Sequence, residues 1–109
     1  MDSGDRETDR LATFIVERYW PGIDEGGLRA ALPRLDGVVH VLAAEGLRLE
    51  NLGSILMPVD QVVFSLISAR SESVVRRANE LAGLPVDRVS AAITVFPPAE
   101  GIINRENVK

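Results

Sequence analysis

Apolar residues recur at two different spacings along this chain, and the switches between them mark out its elements. From Ala12 to Tyr19 the even positions Ala12, Phe14 and Val16 are apolar, while Thr13, Ile15, Glu17 and Tyr19 are mixed. A two-residue period predicts a strand whose even face meets the core. Pro21-Gly22 breaks it. Leu28, Leu32, Leu35, Val39 and Leu42 then recur in alternating steps of four and three, the stripe of an amphipathic helix. Asp24 is placed to cap its start and Gly46 to end it. Pro33 lies inside the stripe, where it loses a hydrogen bond and crowds the Arg29 carbonyl, so a kinked or split helix is expected.

The second half repeats the plan. A strand from about Leu47 to Leu56 meets turn chemistry at Met57-Pro58-Val59-Asp60, and a further strand runs from about Gln61 to Ser68, implying an antiparallel hairpin. This third strand is apolar on both faces, with Val62, Phe64 and Leu66 on one and Val63 and Ile67 on the other, so it reads as central and covered on both sides. Ser71 can cap a second helix with core positions Val74, Val75, Ala78, Leu81 and Ala82. Gly83 suits the left-handed position past its end and Pro85 stops it from resuming. Val89, Ala91, Ile93 and Val95 then alternate as a fourth strand, closed by Pro97-Pro98.

The order β-α-β-β-α-β predicts a ferredoxin-like α+β sandwich, a four-stranded antiparallel sheet with two helices on one face. It would occupy residues 11–96, between a flexible arm over 1–10 and a tail over 97–109 carrying Ile102-Ile103. Two helices cover one side of such a sheet. The other side would carry Ile15, Tyr19 and part of the third strand, and an apolar patch of that kind is hidden against a partner or ligand. A homodimer packed sheet to sheet is the simplest expectation.

Bulk properties narrow the partners. Over 109 residues the net charge is −4, and no basic run exceeds Arg76-Arg77, which argues against nucleic acid or an anionic membrane surface. With no cysteine, disulfides, thiolate metal sites and cysteine nucleophiles are excluded. The polar opening Met1-Asp2-Ser3-Gly4-Asp5-Arg6-Glu7 lacks a signal-peptide core, and no apolar run is long enough to span a bilayer, so a cytoplasmic protein is expected.

Three stretches resemble one family. Phe14-Ile15-Val16-Glu17-Arg18-Tyr19-Trp20-Pro21-Gly22 resembles the first strand and its exit in the small ferredoxin-like actinobacterial proteins of the DUF4242 family. Leu52-Gly53-Ser54-Ile55-Leu56 with Val63-Phe64-Ser65-Leu66 is similar to that family's hairpin. The run from Ala78 through Gly83-Leu84-Pro85-Val86-Asp87-Arg88-Val89 is similar to its passage from second helix to fourth strand. The resemblance spans about residues 13–95 and implies a ferredoxin-like fold and dimers. Its known representative binds nickel, and the histidine-rich branch carries its histidines at positions matching Glu17, Arg18, Ala78, Leu84 and Ser90. None of these is a histidine. Nickel favours imidazole nitrogen, so the chain resembles a histidine-poor branch, and neither a metal nor another cofactor is expected.

Candidate chemistry is sparse. His40 is the single histidine. It has no second ligand or orienting carboxylate at a useful spacing, and reads as a solvated or boundary residue. Ser54 and Ser65 fall on neighbouring strands without a base nearby, and read as small polar residues within the sheet. Asp24, Glu25, Asp36 and Glu45 read as a cap and a solvated face, and Arg76-Arg77 as exposed charge. Gly26-Gly27 lacks the pattern of a phosphate loop. Glu17, Tyr19 and Trp20 form the most suggestive group. The carboxylate could move a proton and the rings could stack on a flat ligand, but the favoured reading is that all three help form a dimer interface, where aromatic residues are enriched. Glu17-Arg18 also reads simply as edge charge.

Two functions of different class follow. The favoured one is a non-catalytic binding or interaction protein, a homodimer whose sheet lines an apolar surface or cavity for a small ligand, with Ile15, Glu17, Tyr19, Trp20 and Phe64 as ligand contacts. The other is a cofactor-independent enzyme of the dimeric α+β barrel type, a cyclase, isomerase or monooxygenase, with Glu17 and Tyr19 as its catalytic pair. Nickel binding ranks last because the histidines are missing.

Overall fold

The computed structural model describes residues 10–98. The chain runs β1 (Ala12–Tyr19), α1 (Glu25–Ala31), α2 (Pro33–Ala44), β2 (Leu49–Met57), β3 (Val62–Ala69), α3 (Glu72–Ala82) and β4 (Arg88–Ala92). The four strands form one sheet in the order β2-β3-β1-β4, and every neighbouring pair is antiparallel. This is the ferredoxin-like α+β sandwich. The expected N-terminal arm (but for Arg10) and the tail beyond Pro98 lie outside the described residues.

Pro33 splits the first helical segment as its chemistry requires. α1 stops at Ala31, Leu32 bridges, and Pro33 opens α2 where its missing N–H is no loss. Asp24 caps α1 by accepting from the Gly27 amide at 2.8 Å. α2 and α3 end in the same way. Leu47 N–H donates to the Leu42 carbonyl and Gly46 N–H to that of Ala43; Leu84 N–H donates to Asn79 and Gly83 N–H to Glu80. Both are Schellman terminations, with a left-handed glycine followed by a leucine that folds back on the core.

The core lies between the sheet and the helices. Val16, Leu35, Leu42, Ile67, Val75 and Ala78 are among its fully enclosed members. β1 has the bounds its alternation predicts, and its even positions face this core. β2 departs from simple alternation. Its register with β3 shifts between Asn51 and Gly53, a bulge that moves the helix-side positions from odd (Leu49, Asn51) to even (Ser54, Leu56).

Four expectations need correction. β3 is central, but helices cover only one of its faces: Val63, Ile67 and Ala69 are buried, while Val62, Phe64 and Leu66 are half-buried. β4 does not continue through Ile93 and Val95. Its register with β1 ends at Thr13↔Ala92, one residue from the start of β1, so no partner remains to extend the ladder. Ile93 and Val95 are consequently exposed, at 91% and 87%. Leu81 is not a core residue, because α3 turns Val75, Ala78, Asn79 and Ala82 inward and leaves Leu81 in solvent. Arg18 is not edge charge: it lies on the even face of β1 and is fully buried.

Candidate functional site

The odd face of β1 and the matching positions of β3 and β2 form the side of the sheet away from the helices. Ile15 pairs with Leu66 and Glu17 with Phe64 across β1 and β3. Ile15, Leu52, Ile55, Phe64 and Leu66, with Gly53 and Ser54, line a shallow depression of about 280 Å³ on this face. Leu52, Ile55 and Met57 are exposed along β2, and Phe96 is exposed beyond β4 with Ile93 and Val95. An apolar surface of this extent is unusual for a face that meets only water.

The five proposed ligand contacts do not all converge. Ile15 and Phe64 line the depression. Glu17 follows along the same face beside Phe64, outside the depression's lining, with Arg88 as its β4 partner. Tyr19 stands at the end of β1, 58% exposed. Trp20 is separated from them, because it packs against the core on the helix side. The end of β1 is fixed by Asp87, whose carboxylate accepts from the Tyr19 amide and whose own amide donates to the Glu17 carbonyl at 2.8 Å. His40 is exposed on α2. Among the described residues, no group of three or more His, Asp or Glu is placed to hold a metal ion.

On the other side of the sheet lies a polar chain. Arg18 donates through Nε to Ser65 Oγ at 3.2 Å and through Nη1 to the Pro85 carbonyl at 3.0 Å. Ser65 and Ser54 are cross-strand partners with hydroxyls 2.7 Å apart. Arg18 Nη2 has no hydrogen-bond partner, and among the described residues no carboxylate pairs with the guanidinium. Burial lowers the Arg18 pKa from the ordinary guanidinium range to about 10, so it remains charged at neutral pH. The outer member, Ser54, opens onto a groove of about 260 Å³ between α1 and β2, with Glu25, Leu28, Arg29, Leu32 and Leu56. Glu25 and Arg29 at its rim pair with each other at 2.8 Å. A third concavity lies along α3 at Arg76, Glu80, Leu84 and Val86.

The sequence places Ser54 and Ser65 on neighbouring strands but hides Arg18, which donates to Ser65 from the next strand over. The signal was the alternation itself: Ala12, Phe14, Val16, Arg18 is one face.

No family model matches the chain, and no curated protein matches it. Among solved structures the chain is similar to the crystal structure of SCO4226 from Streptomyces coelicolor A3(2). The TM-score is 0.63 at 19% identity, covering 78% of this chain and 100% of that one. At this identity the likeness is one of fold, and it is the same α+β sandwich. Among the described residues no helix is long and apolar enough to cross a membrane.

Proposed function

We propose that this chain is a small non-catalytic binding protein of the cytoplasm, acting as a homodimer whose open sheet faces pack together around an apolar small molecule. The observation that carries the reading is the apolar depression on the face that no helix covers, lined by Ile15, Leu52, Ile55, Phe64 and Leu66. A symmetric dimer would double it and enclose it, because an isologous contact brings the same patch from both copies. The exposed apolar side chains of Ile93, Val95 and Phe96 add surface that a second copy would cover. The reading also keeps the chain in the histidine-poor branch of the DUF4242 family, since Glu17, Arg18, Ala78, Leu84 and Ser90 offer no imidazole.

The enzyme reading draws less support, because Glu17 and Tyr19 stand outside the lining of the depression. Native mass spectrometry of the protein as purified tests the proposal. The expected result is a dimer that releases a small apolar molecule on activation. A bare monomer would refute it. Should turnover of any substrate be found, Glu17→Gln is expected to leave the rate unchanged.

A further inference from the structure

The groove between α1 and β2 lies on the helix side of the sheet; it shares Ser54 with the edge of the depression on the proposed dimer face but has its other lining residues to itself. Leu28, Leu32 and Leu56 give it apolar walls; its polar members are Ser54 and, at the rim, Glu25 and Arg29, which pair with each other. Behind Ser54 stands Ser65, and behind Ser65 the buried Arg18. The first donation in this chain is fixed by the chemistry, and the Ser54–Ser65 bond can run in either direction. A guanidinium can only donate, so Ser65 Oγ accepts from Arg18 Nε. The Ser65 proton is then free to go to Ser54 Oγ, which leaves the Ser54 proton for an acceptor in the groove. Each donation polarises the next.

Among the described residues nothing compensates the charge behind this relay. Arg18 is 0% exposed, its Nη2 is without a partner, and among the described residues no carboxylate neutralises it. A buried cation without an anion is costly unless a counter-charge arrives from outside. Glu25 at the rim does not serve, being held by Arg29 at the surface.

We propose that this groove binds a small amphipathic acid, with the carboxylate accepting the Ser54 hydroxyl at the end of the Arg18–Ser65–Ser54 chain and the hydrocarbon body against Leu28, Leu32 and Leu56. The carboxylate gains a polarised donor and the field of the buried guanidinium. The apolar walls select for a ligand with a hydrocarbon portion over a bare inorganic anion.

The test titrates the full-length protein with octanoate, 1-octanol and inorganic phosphate. Affinity is followed by calorimetry, and the bound position by amide chemical shifts. Octanoate is expected to bind roughly tenfold or more tightly than 1-octanol, with shifts centred on Leu28, Leu32 and Leu56. Phosphate alone is expected to bind more weakly than octanoate. Arg18→Met should weaken octanoate by roughly tenfold while leaving 1-octanol unaffected, and Ser54→Ala should act in the same direction. Should Arg18→Met fail to fold, Ser54→Ala decides, since Ser54 is only partly buried. The proposal is overturned if 1-octanol matches octanoate, if phosphate binds more tightly, if the shifts centre on Ile15 and Phe64, or if Ser54→Ala binds octanoate as the wild type does.

Discussion

Arg18 shows how a single side chain can follow the strand period against its own chemistry. Its position on the even face of β1 puts it inside, and burial lowers its pKa to about 10. Above that value, up to the ordinary guanidinium range, the unfolded chain binds more protons than the folded one. Stability contributed by this group therefore rises with pH across the window, and the burial penalty is felt in full below it. Chemical denaturation of wild type and Arg18→Met should show a steady difference from about pH 8 to about pH 9 and one that moves in favour of the wild type from about pH 10 upward. A constant difference would contradict the assignment. Gly83 makes a second test at this scale. It holds φ +68° at the end of α3, a region that costs an L-residue with a Cβ about 1–2 kcal/mol. Gly83→Ala is expected to lose that much in a urea titration. Gly83 could be read from the sequence because glycine before a leucine and a proline has few other uses. Arg18 was hidden because charge suggested solvent, and only the two-residue period argued otherwise.

At the scale of elements, the helix and strand positions followed from periodicity, while the fine choice of which residues face inward did not. α3 carries two overlapping stripes. One includes Leu81, the other Asn79; the helix buries Asn79, whose Nδ2 donates to the Val75 carbonyl at 2.7 Å. Hydrophobicity alone favours the first stripe. The rotation that also seats Val75, Ala78 and Ala82 on the sheet chooses the second. Val75→Ala should therefore cost about 2 kcal/mol, against less than about 0.5 kcal/mol for Leu81→Ala. Equal losses would mean that the helix is turned otherwise. The bulge in β2 was likewise not legible, because Leu52-Gly53-Ser54 reads equally well without an extra residue. Its consequence is large: without it, Ser54 would face away from Ser65. The shortening of β4 is a tertiary effect, set by where β1 begins rather than by the alternation of Val89, Ala91, Ile93 and Val95.

For the molecule as a whole, the order of strands and helices was enough to specify the sandwich, because two β-α-β halves of this length close into one sheet. The candidate sites were less legible. The open apolar face followed from counting layers, since two helices on one side form a single layer and leave the other side of the sheet bare. Which residues gather there depended on register, and register set Glu17 and Tyr19 outside the depression and sent Trp20 to the core. The account rests on that open face meeting its counterpart in a second copy. Replacing Phe64, at its centre, with Lys should split the dimer while leaving the far-ultraviolet circular dichroism unchanged, because the new amine can reach solvent only in the separated chain. Sedimentation equilibrium of the wild-type protein tests the claim most directly. The account predicts a species of twice the 11.8 kDa chain mass at micromolar concentration, and a single species at the chain mass would contradict it.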